Sequence, residues 1–173
     1  MLCMLSVLLA QESGKEQEEE FVPGKTTALR WKELEKVIKS ARKNYRPVLM
    51  YVYSKEHLDL CRHIESILKE QPVRLAAGRY LCIKVDADSK ETWDFRKDRG
   101  LKKNEAGLFL CDCRFRIMER YQGKASLDDP KEFARHLKRF AKWHSKFVKK
   151  LKALDKVWRK AESAKKKGRW REY

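Results

Sequence analysis

The sequence predicts an α/β fold, a three-layer α/β/α sandwich with a mixed central sheet and an extended basic C-terminal helix. Short apolar runs typical of buried strands alternate with segments of helical periodicity, as expected when helices cover both faces of a sheet. The last two strand-like runs are joined tightly, which predicts an antiparallel pair beside the parallel ones. The 173 residues are 42% hydrophobic, enough for one core of ordinary domain size.

The first half of the chain predicts helix, strand, helix and strand. Apolar residues recur every three or four positions over 26–44, and Pro47 then disfavours helical geometry in the residue before it. The run Val48–Tyr53 is apolar on both faces, which is typical of a buried central strand. A second amphipathic helix is expected over about 58–70, and a second strand over 80–86.

The second half predicts a short helix, a hairpin and a long helix. Aromatic residues within 90–99 predict the short helix, which a glycine closes. The runs 107–111 and 115–121 predict two strands joined by a tight turn. From 131 to about 165 the chain predicts one helix of about 50 Å, roughly three times what is needed to close a small sheet.

The C-terminal helix carries most of the positive charge. The chain has a net charge of +17, and residues 131–173 hold 17 basic and 4 acidic side chains, a net +13. Spacings of four and three residues form a heptad pattern typical of coiled-coil contact. The residues on this seam are Phe133, Leu137, Phe140, His144, Phe147, Leu151, Leu154, Trp158 and Ala161.

The segment Leu58-Asp59-Leu60-Cys61, placed directly after the first strand, resembles half of a thioredoxin active site. The strand Pro47–Tyr53, the Lys84-Val85-Asp86 run and the hairpin ending at Gly123 also resemble the thioredoxin-like superfamily, over about residues 26–145. The tryptophan and the Pro-Val pair that follow an amphipathic helix are similar to exported bacterial members. The resemblance implies a thioredoxin-like fold.

Both catalytic landmarks of that family are altered. Leu58 takes the position of the attacking cysteine, and Cys61 takes that of the second, resolving cysteine. Ala106 stands where the family has a cis-proline, and a cis peptide without proline costs about 2.5–4 kcal/mol, so we expect a trans bond. These positions predict that the protein does not act as a dithiol oxidoreductase.

Two interpretations of Cys61 remain open. The helix N-terminus and the nearby His57 and Arg62 favour a thiolate, which would suit an exported monothiol redox protein. A buried, inert cysteine is the other interpretation, since free cysteines are among the most buried residue types. We predict no cofactor and no metal site, because the pair Cys111 and Cys113 lacks further ligands nearby.

Three segments are predicted: a leader with an acidic linker (1–25), the thioredoxin-like domain (26–145), and a basic amphipathic extension and tail (146–173). The apolar run 2–10 is similar to a secretory signal and predicts a periplasmic or secreted protein, with a cytoplasmic location as the alternative. An oxidising compartment permits disulfides, and their pairing cannot be deduced from spacing. The cysteines concerned are Cys61, Cys82, Cys111 and Cys113.

The predicted function is that of a non-catalytic binding module whose basic helix contacts a partner. An unknown protein or an acidic polymer is one partner, an anionic membrane surface is another, and a structural homodimer would pair through Phe147, Leu151, Leu154 and Trp158. The predicted polyanion-binding residues are Lys146, Lys149, Lys150, Lys152, Lys156, Arg159, Lys160, Lys165, Lys166, Lys167 and Arg169.

Overall fold

A computed structural model describes residues 21–166 and shows a mixed four-stranded sheet with helices on both faces. The predicted leader, up to residue 20, and the predicted contacts Lys167 and Arg169 lie outside the described residues. The strands are β1 (Val48–Tyr53), β2 (Leu81–Asp86), β3 (Gly107–Cys111) and β4 (Ile117–Tyr121). The helices are α1 (Leu34–Asn44), α2 (Leu58–Lys69), α3 (Gln71–Ala77), α4 (Trp93–Lys97) and α5 (Pro130–Lys166).

The sheet confirms the predicted mixed pairing. Its strand order is β2-β1-β3-β4, with β1 parallel to β2 and antiparallel to β3. The hairpin β3–β4 is antiparallel, and its register shifts between Leu110 and Cys111. Because β1 lies between two strands, its first five residues are buried, which explains why the sequence there is apolar on both faces.

Alternate residues of β1 enter two separate cores. Leu49 and Tyr51 face α2, α3 and α5, whereas Met50 and Val52 face α1 and α4. The alternation follows from the two-residue period of a strand. The three-layer arrangement predicted from the element order is therefore confirmed.

The segment before α1 differs from the prediction. We expected a helix from residue 26, but α1 begins at Leu34, and Trp31 pairs with Cys82 in an isolated parallel bridge. The N–H of Lys32 donates to the Cys82 carbonyl at 3.0 Å. The Trp31 ring lies 6.2 Å from the Tyr51 ring, so this large side chain packs on the sheet from an extended backbone instead of a helical one.

Pro72 also behaves differently from the prediction. The helix α2 ends at Lys69 as expected, but a new helix, α3, begins at Gln71 with Pro72 in its first turn. Proline is tolerated there because the first N–H groups of a helix have no partner within the helix. Pro72 therefore starts a helix in addition to ending one.

The long C-terminal helix is confirmed. The 37 residues of α5 extend about 55 Å. Phe133, Leu137 and Phe140 are buried in the core shared with α2 and α3, so the first turns close the sheet as predicted. The helix continues without a break through residue 145, and the division of the chain at that point stays a prediction.

Candidate functional site

The junction of β1 and α2 holds the residues that resemble a thioredoxin active site. A single 3-10 turn, Lys55–His57, joins the two elements, and the Ser54 hydroxyl caps it by accepting from the Glu56 N–H at 3.1 Å. Leu58 is the first residue of α2 and is 40% exposed, whereas Cys61, one turn later, is 0% exposed. The surface position of the site is thus occupied by a side chain with no thiol.

The Cys61 thiol is held in a protonated state by its surroundings. Its Sγ donates to the Ser54 carbonyl at 3.6 Å. Burial is the main cause that raises the pKa of the Cys61 thiol, hydrogen bonds with Ser54 and Tyr51 oppose it in part, and the carboxylates of Glu65 and Asp88 add a smaller increase. A thiol must lose its proton to act as a nucleophile, so this environment opposes redox chemistry.

The two positive groups that we expected to activate Cys61 lie on the surface. His57 and Arg62 are exposed. The Arg62 guanidinium lies over the Phe21 ring at 5.1 Å and 3.8 Å from an Asp59 carboxylate oxygen. The positive charge of Arg62 is therefore close to the Asp59 carboxylate on the outer side of α2.

The loop before β3 lacks the second landmark of the family. No peptide bond of residues 21–166 is cis, so the bond at Ala106 is trans as predicted, and Ala106 itself is buried. Gly107 follows with a φ of +155°, and a Cβ there would lie 2.6 Å from the Tyr121 carbonyl oxygen. The glycine is needed because β4 approaches this backbone closely.

A buried carboxylate that we did not predict ties the N-terminal segment to the site. Glu65 is 5% exposed, and its Oε1 accepts from the Gly24 N–H at 2.7 Å and the Tyr51 hydroxyl at 3.1 Å. Lys84 donates to the carbonyls of Gly24 and Thr26. These hydrogen bonds hold the segment 21–26 beside α2 and β1. The segment there covers part of the core that contains Cys61.

The other three cysteines within residues 21–166 are also shielded. Cys82, Cys111 and Cys113 are buried and, like Cys61, not in disulfides. Burial raises the pKa of Cys82 and of Cys111 to about 12. Residues 21–166 contain no group of three or more His, Cys, Asp or Glu side chains arranged to hold a metal ion.

Two polar contacts anchor α5 beyond the part that closes the sheet. His144 is 2% exposed, and its Nε2 accepts from the Cys113 N–H at 3.2 Å. Farther along, an Asp155 carboxylate oxygen accepts from the Tyr45 hydroxyl at 2.7 Å. These two contacts hold the part of α5 between His144 and Asp155 against the β3–β4 turn and the end of α1.

The basic residues of α5 border two open cavities that both include Tyr45. The first is lined by Tyr45, Pro47, Arg79, Lys138, Arg139, Ala141, Lys142, His144, Ser145, Lys146, Val148 and Lys149. The second is lined by Tyr45, Lys152, Asp155, Lys156, Arg159, Lys160 and Ser163. Of the predicted polyanion contacts, Lys150 lines neither cavity and Lys165 is exposed beyond them.

The predicted dimer seam is divided by the structure. Leu151 is 7% exposed because it packs against the protein's own domain, and Phe147 is half-buried. Leu154 and Trp158 are each 67% exposed. Only the distal part of the seam therefore presents apolar side chains to a second copy.

No helix within residues 21–166 is both long enough and apolar enough to span a membrane. The chain matches no protein-family model, and no curated protein matches it.

Solved structures with a similar fold do exist. A thioredoxin from Thermus thermophilus is 17% identical, with a TM-score of 0.51 over 65% of this chain and 87% of its own. A DsbH oxidoreductase is 14% identical over 69% and 94% of the two chains, with a TM-score of 0.48. Trxlp from Edwardsiella tarda EIB202 is 15% identical over 63% and 97%, with a TM-score of 0.47. Together with the sheet order and the two helical layers, the first of these likenesses shows that the chain has a thioredoxin-like fold.

Proposed function

We propose that this protein is a thioredoxin-like binding module that does not carry out thiol–disulfide exchange. The observation that supports this most strongly is the state of Cys61, which is 0% exposed and donates its thiol hydrogen bond to the Ser54 carbonyl. Leu58 occupies the exposed position one turn before it. A side chain at the surface of this junction can contact a partner but cannot attack a disulfide.

The requirements of thiol–disulfide exchange explain the proposal. The reaction begins with an accessible thiolate, and a second thiol then resolves the mixed disulfide. Leu58 removes the first group, and burial keeps the second protonated and out of reach of a bulky disulfide. A monothiol mechanism would need Cys61 to be exposed by a substantial opening of the segments packed on it.

Insulin reduction in the presence of dithiothreitol tests the proposal. We expect the full chain and its Cys61→Ser variant to reduce insulin no faster than dithiothreitol alone, with an active thioredoxin as the positive control. Cys82→Ser is a matched control, because it removes another buried cysteine from a different element. Catalysis by the full chain that is lost in Cys61→Ser and kept in Cys82→Ser would overturn the proposal.

We also propose that the protein is exported to the periplasm or secreted. The support is the apolar run at residues 2–10, followed by polar and acidic residues, which is similar to a signal sequence with cleavage near Ala10. Expression of the full chain in a bacterial host, followed by cell fractionation and N-terminal sequencing, tests this. A mature N-terminus just after residue 10 in the exported fraction is expected, and an uncleaved protein confined to the cytoplasm would contradict it.

A further inference from the structure

We infer that the concave basic surface between α5 and the end of α1 binds an acidic polysaccharide as an extended chain. This inference rests on the proposed function, since it names the partner of the binding module. We call the surface the basic groove. It consists of the two cavities that share Tyr45, of about 850 and 580 Å³.

The charge of the basic groove is almost entirely of one sign. Ten basic side chains line it and only one acidic side chain, Asp155, whose carboxylate accepts from the Tyr45 hydroxyl and lies 4.0 Å from Arg114. Among the described residues, only one of the ten forms an ion pair, Arg139 with Glu132 at 3.9 Å. The ten are Arg79, Lys138, Arg139, Lys142, Lys146, Lys149, Lys152, Lys156, Arg159 and Lys160.

The groove is built from distant parts of the fold and is held in shape. Tyr45 caps α1 in the left-handed conformation, with a φ of 51°, a position that glycine usually takes. With this backbone conformation the Tyr45 hydroxyl donates a hydrogen bond to Asp155 of α5. The Nζ atom of Lys152, which is also on α5, lies 5.1 Å from the centre of the Tyr45 ring. Together with the His144–Cys113 hydrogen bond, the contact holds the basic wall in place before any ligand arrives.

The groove lies at the opposite end of the sheet from Cys61. Pro47 and Arg79, which line it, precede β1 and β2, whereas Cys61 follows the end of β1. Since β1 and β2 run parallel, both starting points lie at one edge of the sheet. Binding in the groove therefore needs no group from the altered thiol site.

The arrangement of cations suits a linear polyanion. Residues three and four apart on a helix lie about 5–6 Å from each other. Five lysines with these spacings therefore form a repeating row along α5: Lys142, Lys146, Lys149, Lys152 and Lys156. A chain with regularly spaced sulfate or carboxylate groups releases counterions as it neutralises such a row.

The walls of the groove favour a polysaccharide over a single-stranded nucleic acid or a membrane. Nucleic-acid grooves use exposed aromatic faces on which bases stack. Tyr45 is the only tryptophan, tyrosine or phenylalanine among the lining residues, and Trp143 and Trp158 line neither cavity. The exposed apolar side chains that a bilayer surface would bury, Leu154, Val157 and Trp158, lie outside the groove.

Fluorescence anisotropy with a labelled heparin oligosaccharide tests the inference at several salt concentrations. We expect binding by the full chain at low salt that weakens steadily as salt rises. The variant Lys142→Gln/Lys149→Gln/Lys156→Gln should bind at least about tenfold more weakly, with a salt dependence reduced by about one unit of slope per lysine that contacts the chain. All three side chains are exposed, so the fold should persist, which circular dichroism checks.

Two controls separate the groove from net charge. Lys39→Gln/Lys97→Gln/Lys103→Gln removes the same charge at exposed positions outside the groove, and should change heparin affinity by less than about twofold. Lys149→Gln and Lys150→Gln alter neighbours on one helix, of which only the first lines the groove, so only the first should weaken binding. Equal weakening by the groove and control variants would overturn the inference.

Two further probes test the choice of partner. A thymidine oligonucleotide that binds more tightly than heparin of the same charge would overturn the inference in favour of nucleic acid. Binding to phosphatidylglycerol vesicles that exceeds heparin binding and is lost in Trp158→Ala would overturn it in favour of a membrane surface. Each of these failures leaves the insulin assay unaffected, so the proposed lack of thiol exchange is judged separately.

Discussion

Glu65 lies one turn after Cys61 on α2 and is buried, although it looks like an ordinary polar residue of an amphipathic helix. It is buried beside the thiol, raises the pKa of Cys61, and accepts hydrogen bonds from Gly24 and Tyr51. Buried polar groups of this kind are costly unless satisfied, and here both donors need the same carboxylate oxygen. The N-terminal segment and the thiol site therefore depend on one side chain.

A matched pair of substitutions at Glu65 tests this dependence. Glu65→Leu should lower the free energy of unfolding by about 1–3 kcal/mol, because the Gly24 N–H loses its acceptor and the Tyr51 hydroxyl keeps only the Cys61 carbonyl, at 3.5 Å. Glu65→Gln keeps an oxygen acceptor and should cost clearly less. Urea denaturation of both variants measures the difference, and equal costs would show that the hydrogen bonds contribute little.

His144 makes the docking of α5 sensitive to acid. Burial lowers the pKa of His144, against a smaller opposing effect of Asp112, and its Nε2 can accept from the Cys113 N–H only when unprotonated. Well above the ordinary histidine pKa of 6.5, the imidazole is neutral in both the folded and the unfolded chain. Below that pH the unfolded chain takes up the proton first, so the free energy of unfolding falls as the pH falls.

The expected result is a drop in thermal midpoint between pH 7 and pH 5 that is larger in the natural chain than in His144→Gln, whose amide oxygen still accepts but does not titrate. The exposed His57 provides the control, and His57→Gln should keep the full drop. An identical pH dependence in the natural chain and His144→Gln would show that His144 does not carry the effect.

The altered residues of the site could be identified from the sequence, whereas its buried polar partners could not. Leu58, Cys61 and Ala106 are placed by the resemblance of the strand, the Leu58–Cys61 segment and the hairpin to the thioredoxin-like superfamily, and that resemblance depends on local patterns. Glu65 meets Gly24 across 41 residues, and His144 meets Cys113 across 31. No local pattern records contacts between such distant positions, so only the folded chain reveals them.

Among the elements, the sheet was easier to predict than the helix starts. The bounds of β1 and β3 agree with the apolar runs, because buried strands permit little else. The predicted start of α1 was wrong because Trp31 packs on Tyr51 from an extended backbone that pairs with Cys82, and local periodicity does not record such distant contacts. The helix α3 was missed because a proline that ends one helix also suits the first turn of the next.

The apolar residues of the heptad pattern in α5 pack on the domain as far as Leu151 and are exposed at Leu154 and Trp158. A pair of substitutions compares the two parts. Leu151→Ala should lower the free energy of unfolding by about 2 kcal/mol, because Leu151 packs on the domain. Leu154→Ala removes an exposed side chain and should change it by less than about 0.5 kcal/mol. Thermal unfolding of both variants measures this.

Protein concentration provides the counter-test for α5. If two copies pair through the distal seam, Leu154→Ala would instead lower the thermal midpoint, and more so at high concentration. That result, together with a dimer in sedimentation that Leu154→Ala dissociates, would contradict the expectation that Leu154 contributes little to stability.

In the whole molecule, two regions lie at opposite edges of the sheet and have different characters. The edge at the end of β1 carries the junction with the exposed Leu58 and the buried Cys61, and the other edge carries the basic groove. The net charge of the sequence indicates a basic helix. It does not show that Tyr45 and Arg79 line the same surface, because only the fold brings them next to α5. The sequence therefore predicts the charge of the binding surface and not its concave shape.

Site-resolved alkylation of the native chain tests most directly whether the protein lacks thiol chemistry. With iodoacetamide at pH 7 and peptide mass mapping, we expect Cys61 to react as slowly as Cys82 and Cys111, and all three to react fully in denaturant, because each is buried with a raised pKa. Rapid and selective modification of Cys61 in the native chain would contradict a binding role without thiol chemistry.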